Sequence, residues 1–329
     1  MKSPLSRRRF LTISASTLAA SIIPGSGLMA NPSPVRWQGT ALGARAELIL
    51  NHPIREEAEA ALRLVHDEIR RLEKIFSLYD ENSDLSQLNS AGALSAPPLD
   101  LIRCLDDAQQ ISQITDGAFD VTVQPLWEMY ARHFANSSPD TAGPKAVEIA
   151  TARALVDFNG VQIGSQKISV SRPGMKITLN GIAQGYITDR VAEVLKAQGF
   201  ENVLIDLGET RGLGHRNDGS DWQVGIKAPD GSGNLMRKLA LRNKAIATSG
   251  GYGTTFTADG AYHHLFDPKT GRSADHWDTV SVISDDATRA DALSTAFSSM
   301  SEIDIRRIAD KMSISVIASN DTSDLLINL

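Results

Sequence analysis

Between residues 54 and 76 the apolar side chains Ile54, Ala58, Leu62, Val65, Ile69, Leu72 and Phe76 recur every three or four positions, with Arg55, Glu57 and Arg70 in between. That period predicts one long amphipathic helix with its apolar stripe against a core. The same spacing at Leu101, Leu105, Ala108 and Ile111 predicts a helix over 99–114, and a third runs over 184–197, closed by Gly199 as its C-terminal cap. Cys104 shares the apolar spacing of the second helix and reads as a packing residue. Short β-rich runs at 167–170, 175–179, 203–207, 222–226, 245–248 and 280–284 are bounded by Gly, Pro or Asp. Those within 167–179 and within 222–248 suggest hairpins, while the helices cluster elsewhere. The expected fold is α+β, with mixed or antiparallel sheets and flanking helices, rather than a doubly wound parallel sheet. No repeat, long linker or low-complexity tract interrupts residues 31–329, so one domain of two lobes is expected there.

The first thirty residues follow a different pattern. Ser6-Arg7-Arg8-Arg9-Phe10-Leu11 sets paired arginines before an apolar pair, residues 11–23 carry no charge, and 24–30 are mostly small. This is the pattern of a twin-arginine export signal, too short to span a bilayer that needs about 20 helical residues. Cleavage after Ala30 and delivery to the periplasm by the twin-arginine translocase are expected. In the whole chain of 329 residues, 42% are apolar and 22% charged, which suits a globular protein with a full core. The net charge of −6 gives no basic footprint, so nucleic acid and anionic lipid are poor partners, whereas a bound cation fits. One cysteine excludes an internal disulfide framework and a thiolate metal cluster.

Candidate chemistry lies in polar, glycine-rich blocks, because G-x-G-x-x-G after a strand, G-x-x-x-x-G-K-[ST], G-x-S-x-G and H-E-x-x-H are all absent. Asp291 and Thr295 are four apart in a helical stretch, so one carboxylate and one hydroxyl share a face. They are oxygen donors of the kind Mg²⁺ prefers, or residues that cap and solvate a helix start. Gly181 and Gly185 permit close backbone approach, and a helix starting behind them would aim N–H groups at a phosphate, unless the glycines serve only the turn. Tyr79, followed by Asp80, Glu81 and Asn82, reads as a loop residue rather than a core tyrosine.

Taken in order, eight blocks resemble the ApbE family of FAD:protein FMN transferases. They are Gly39-Thr40-Ala41-Leu42-Gly43, the stretch from Phe76 through Tyr79 to Asn89, and Thr115-Asp116-Gly117-Ala118-Phe119-Asp120 continuing to Trp127. Next come Asn180-Gly181-Ile182-Ala183-Gln184-Gly185-Tyr186 with Asp189, Leu207-Gly208-Glu209, and Ala247-Thr248-Ser249-Gly250. His263-His264-Leu265-Phe266-Asp267-Pro268 and Asp291-Ala292-Leu293-Ser294-Thr295 complete the series.

The resemblance implies a single ApbE-like domain that splits FAD, releases AMP and transfers FMN to a Ser or Thr hydroxyl of an acceptor flavoprotein. It implies Mg²⁺ held by Asp291, Thr295 and a backbone carbonyl, with Gly181 the aligned choice and Ala183 the alternative. FAD contacts are implied for Leu42, Tyr79, Ala118, Phe119, Asp120, Thr178, Gln184, Glu209 and Leu265, with Thr248, Ser249, Gly250 and His264 near the phosphates. Asp291, Thr295 and His264 take the catalytic roles, and the general base stays open between His264 and a carboxylate. The acceptor brings the nucleophile, which explains the lack of a Ser-His-Asp pattern. This chain departs from the family at Gln184, where Lys or Glu is usual, and at Thr178, where an Asp often sits. Ser294 stands where some members have a second metal-binding Asp, and Leu42 replaces the usual Met. The 178–185 stretch with the export signal resembles the NosX branch, associated with nitrous-oxide respiration. Two other outcomes stay open: a flavin-binding or delivery protein without transfer activity, and an FAD pyrophosphatase.

Overall fold

The computed structural model describes residues 34–41, 44–51, 54–136, 139–228, 234–320 and 323–329. The expected export signal at 1–30 and Leu42 lie outside these. The chain runs β1 (Val35–Ala41), β2 (Ala44–Leu50), α1 (Arg55–Phe76), α2 (Asp84–Ala91), β3 (Ala93–Ser95), α3 (Leu99–Ile114), α4 (Gln124–Phe134) and α5 (Ala146–Arg153). It continues with β4 (Val161–Ile163), β5 (Lys167–Val170), α6 (Ala183–Ala197), β6 (Val203–Asp206), β7 (Thr210–Leu213), β8 (Trp222–Lys227), β9 (Leu235–Leu241) and β10 (Lys244–Gly250). The last elements are β11 (Phe266–Asp267), β12 (Arg272–Ser273), β13 (Thr279–Ser284), α7 (Ala287–Phe297), α8 (Glu302–Met312), β14 (Ser315–Asn320) and β15 (Ser323–Ile327).

Eight strands form one sheet in the order β1-β2-β6-β7-β10-β13-β14-β15, with every neighbouring pair antiparallel. Strand side chains alternate between faces, and here both faces are covered. Leu48 and Leu50 of β2, Val203 and Ile205 of β6, and Val316 and Ala318 of β14 join the main core with α1, α3, α6 and α7. The residues between them, Ile49, Leu204 and Ile317, pack with Trp222, Val224, Ile226 and Leu241 of the β8–β9 hairpin on the opposite face. This explains why 203–207 reads as an unbroken apolar run. The α+β expectation holds.

The long helix spans Arg55–Phe76 with its stripe buried, except that Leu62 is half-buried and Ile54 precedes it as the N-cap residue and is 46% exposed. The second helix is Leu99–Ile114 with Cys104 fully buried, and the third ends before Gly199, whose φ of +82° takes the cap conformation. The 222–248 hairpin differs from expectation: β8 pairs with β9 (Leu235–Leu241), a strand not read from the sequence, while the 245–248 run lies in β10 of the main sheet between β7 and β13. The 167–179 hairpin is absent: β5 pairs with β3 and β4, and 175–179 joins no ladder. Met175, Ile177 and Leu179 are buried, which produced the β-like alternation. The backbone of Ile177 is instead satisfied by a side chain. Its N–H donates to Asn89 Oδ1 (2.6 Å), and its carbonyl accepts from Asn89 Nδ2 (2.7 Å).

Candidate active site

A cavity of about 500 Å³ opens beside the C-terminal end of α1, and every site residue expected from the sequence lines it apart from Leu42, which lies outside the described residues. The floor is made by α7. Its N-cap Asp286 accepts the Arg289 N–H (2.7 Å). Asp189 from α6 pairs with Arg211 and accepts the N–H groups of Ala287 (2.9 Å) and Thr288 (2.8 Å) and the Thr288 hydroxyl (2.6 Å). Two carboxylates thus satisfy the first turn and offset its dipole. Asp189, which closes the Asn180 block, thus caps this helix.

One turn further on, Asp291 is 4% exposed, and its Oδ2 accepts the Gly185 N–H (3.0 Å). Thr295, at i+4, faces the loop at Gly181, where a Cβ would lie 2.9 Å from Thr295 Oγ1. Only a residue without a side chain lets that backbone come so close. The Ser249 hydroxyl lies 2.7 Å from Ser294 Oγ and 3.3 Å from Thr295 Oγ1, while Ser294 donates to the Asp291 carbonyl (2.9 Å). Thr248 meets Ser281 on the next strand (2.8 Å).

Two buried carboxyls dominate the electrostatics. Burial pushes Asp291 up to about 7, against the Gly185 hydrogen bond and with the charge of Asp189 adding to it. Glu209, in the turn between β6 and β7, is raised well above the ordinary range by burial first and then by the charges of Asp291 and Asp206. No cationic side chain among the described residues contributes to either shift. The Asp291 carboxylate, the Thr295 hydroxyl and the Gly181 carbonyl are oxygen donors that could hold Mg²⁺. No group of three His, Cys, Asp or Glu converges among the described residues, so such a site relies on neutral oxygens and on the ligand.

The start of α6 differs from expectation. Of its first N–H groups, that of Ala183 goes to the Leu179 carbonyl (2.8 Å) and that of Gly185 to Asp291, so fewer face the cavity than a free helix end would offer. Gly185 is required for another reason: a Cβ there would lie 2.3 Å from the Ala287 carbonyl oxygen, where α6 crosses α7. Gln184 is 8% exposed, its amide packs on Gly208, and its Nε2 has no partner among the described residues.

Turns shape the walls. Asp116 (φ +52°) and Gly117 (φ +74°) swing the chain from α3 so that Ala118, Phe119 and Asp120 line the cavity. The Asp120 carboxylate itself is committed to the fold, accepting from Thr122 N–H (2.7 Å), Thr122 Oγ1 (2.6 Å) and Phe158 N–H (2.9 Å), and burial pushes it up to about 6. The Thr178 hydroxyl accepts the Asn180 N–H (3.3 Å). Tyr79 sits on the loop after α1, 45% exposed, with its N–H and that of Asp80 held by Ser77 Oγ (3.1 Å each). Leu265 is buried, and its carbonyl accepts the Ala274 N–H (2.8 Å). His264 Nδ1 lies 3.2 Å from the Thr254 carbonyl, which can only accept. Nδ1 therefore carries the proton and Nε2 is the acceptor, and burial, with His263 adding, pushes the ring down to about 4. His263 is held by the Ala274 carbonyl (2.9 Å) and is structural. Trp127 and Phe266 add an apolar wall that sequence reasoning left without a role, although Trp127, Tyr130 and Phe134 share one helical face.

Residues 42–318 match the profile of the ApbE family. The chain belongs to the ApbE family. Among curated relatives, the FAD:protein FMN transferase of Klebsiella pneumoniae is 32% identical over 247 residues, 72% of this chain and 74% of its own length. That of Haemophilus influenzae is 28% identical over 273 residues, 79% and 76% of the two chains. The solved flavin transferase ApbE from Vibrio cholerae superposes with a TM-score of 0.77 at 25% identity, covering 90% of this chain and 96% of that one. The ApbE protein from Thermotoga maritima gives 0.77 at 27% identity, covering 87% and 94%.

Proposed function

We propose that this ApbE family chain is an FAD:protein FMN transferase that moves FMN from FAD to a Ser or Thr hydroxyl of an acceptor flavoprotein and releases AMP. The observation that carries the reading is the joining of Asp291, Thr295 and Gly181 at the floor of a cavity that fifteen expected site residues line together. In the reaction the acceptor oxygen bonds to the FMN phosphorus, the bridging P–O bond breaks, its electrons leave with AMP, and the hydroxyl proton goes to a base. Asp291, Thr295 and the Gly181 carbonyl would hold Mg²⁺, which when bound offsets phosphate charge.

This chain's own groups supply position and hydrogen bonding. The doubly capped α7 fixes Asp291 and Thr295, and Gln184 Nε2 is a free donor for a ligand oxygen. His264 Nε2 is neutral above pH about 4 and accepts the hydroxyl proton. Such a weak base suffices where the transition state is loose and needs little proton transfer before attack. Twin-arginine export to the periplasm and membership of the NosX branch complete the reading, on residues 6–30 and 178–185.

The test incubates the purified chain with FAD and Mg²⁺, with and without a candidate acceptor domain encoded beside its gene, and separates FAD, FMN and AMP. AMP without free FMN, formed only with acceptor and lost in Asp291→Ala, is the expected result. Free FMN equal to AMP without acceptor marks a pyrophosphatase, and unconsumed bound FAD marks a binding protein.

A further inference from the structure

Three hydroxyls run inward from the cavity floor. Thr295 Oγ1 lies 3.3 Å from Ser249 Oγ, which lies 2.7 Å from Ser294 Oγ, which in turn lies 2.9 Å from the Asp291 carbonyl oxygen. Thr295 and Ser249 line the cavity, whereas Ser294 is fully buried and does not. A hydroxyl has one proton and two lone pairs, so the last member sets the direction of the others. The Asp291 carbonyl can only accept, so the Ser294 proton goes to it and Ser294 Oγ is left as an acceptor. Ser249 therefore donates to Ser294, across the shortest contact of the series. With that proton turned into α7, Ser249 Oγ meets Thr295 as an acceptor, and Thr295 donates to it. A helical threonine often gives its proton to the carbonyl four residues back, but here Ser294 takes that carbonyl. No proton of the series points at Thr295 Oγ1, and its lone pairs stay open where the Gly181 backbone approaches.

We propose that Ser294 and Ser249 are positioning residues that make the Thr295 oxygen a cation ligand by drawing protons away from it. This rests on the metal-assisted transfer reading and adds a buried residue that reaches the site only through Ser249. A hydroxyl presents a lone pair to a metal when its own proton is held elsewhere and no neighbour donates to it, and groups that orient metal ligands in this way carry about ten- to a hundredfold in affinity. No group of three His, Cys, Asp or Glu converges among the described residues, so the orientation of the neutral donors weighs more here.

The experiment titrates Mg²⁺ into the FAD-loaded chain without acceptor and reads affinity from the metal-dependent rise in melting temperature. Ser294→Ala strands the Ser249 proton, for which Thr295 Oγ1 is the remaining acceptor of the series. It weakens Mg²⁺ about tenfold and leaves FAD affinity measured without metal at the parent's value. Adding Ser249→Ala removes that proton and restores Mg²⁺ binding to within about threefold of the parent, a recovery that a second packing defect does not produce. Ser294→Cys fills the space with a poor acceptor and shows the same loss, even where the smaller alanine unsettles α7. The proposal is overturned if Ser294→Ala and Ser294→Cys bind Mg²⁺ like the parent, if the double variant binds it more weakly than Ser294→Ala, or if the parent shows no Mg²⁺-dependent shift. Parent that transfers FMN while Ser294→Ala keeps its Mg²⁺ affinity removes the positioning and keeps the transferase. The full pattern of affinities in a chain that transfers no FMN keeps the positioning and removes the transferase reading.

Discussion

His264 and Asp291 carry opposite pH signatures. The folded His264 ring titrates near 4, below its ordinary value of 6.5, so the unfolded chain takes up a proton first on acidification. Its contribution to stability is fully present above pH 6.5 and is lost as pH falls toward 4. Melting curves of His264→Gln are expected to be flatter than the parent's across that window and parallel to it above pH 7; equal slopes would show that burial does not set the ring's pKa. Asp291→Asn keeps the acceptor for Gly185 N–H but removes a charged oxygen donor. It is expected to lower transfer about a hundredfold or more, and to abolish Mg²⁺-dependent stabilisation in thermal melts. The site residues were legible through the eight ordered blocks and the resemblance they carry, because spacing alone leaves Asp291 and Thr295 open between metal binding and helix capping. What could not be read was who satisfies whom: that Asp120 accepts from Phe158 as well as from nearby Thr122, or that Asp189 caps α7, depends on partners tens of residues along the chain.

The crossing of α6 on α7 ties local sequence to the site. A Cβ at Gly185 meets backbone, the Ala287 carbonyl, which cannot rotate away. Gly185→Ala is expected to cost about 2 kcal/mol or more in chemical denaturation. Gly199→Ala has open space around its Cβ but a φ of +82°, and is expected to cost only about 1 kcal/mol. Asn89→Ala removes both hydrogen bonds to Ile177 and should destabilise by about 2 kcal/mol while weakening FAD binding through the 178–181 loop; unchanged FAD affinity would separate that segment from the site. Helices with long stripes were legible because their period is local. The 175–179 segment was not, since buried alternation is the same whether a strand partner or one asparagine satisfies the backbone. The α8 helix has a Ser301 cap and Ile305 and Ile308 as its buried face, yet its short stripe did not stand out.

For the whole molecule, the antiparallel sheet and the hairpin covering its second face explain why strands β6, β10 and β14 are apolar on both sides. The α+β class was legible in the short strand runs and separately clustered helices, whereas strand pairing and order were not, because β5 and β10 pair outside the expected hairpins and β2 joins β6 only through pairings more than a hundred residues apart. That sheet carries Ser249 at the end of β10 and Glu209 ahead of β7 toward α7, which is how blocks scattered from 79 to 295 meet in one cavity. The central claim is transfer to a protein hydroxyl, and peptide-level mass spectrometry of an acceptor domain incubated with the chain, FAD and Mg²⁺ tests it most directly. The account predicts FMN joined through its phosphate to one Ser or Thr, AMP formed in equal amount, and neither with Asp291→Ala. An unmodified acceptor beside free FMN, or beside intact FAD, would contradict it.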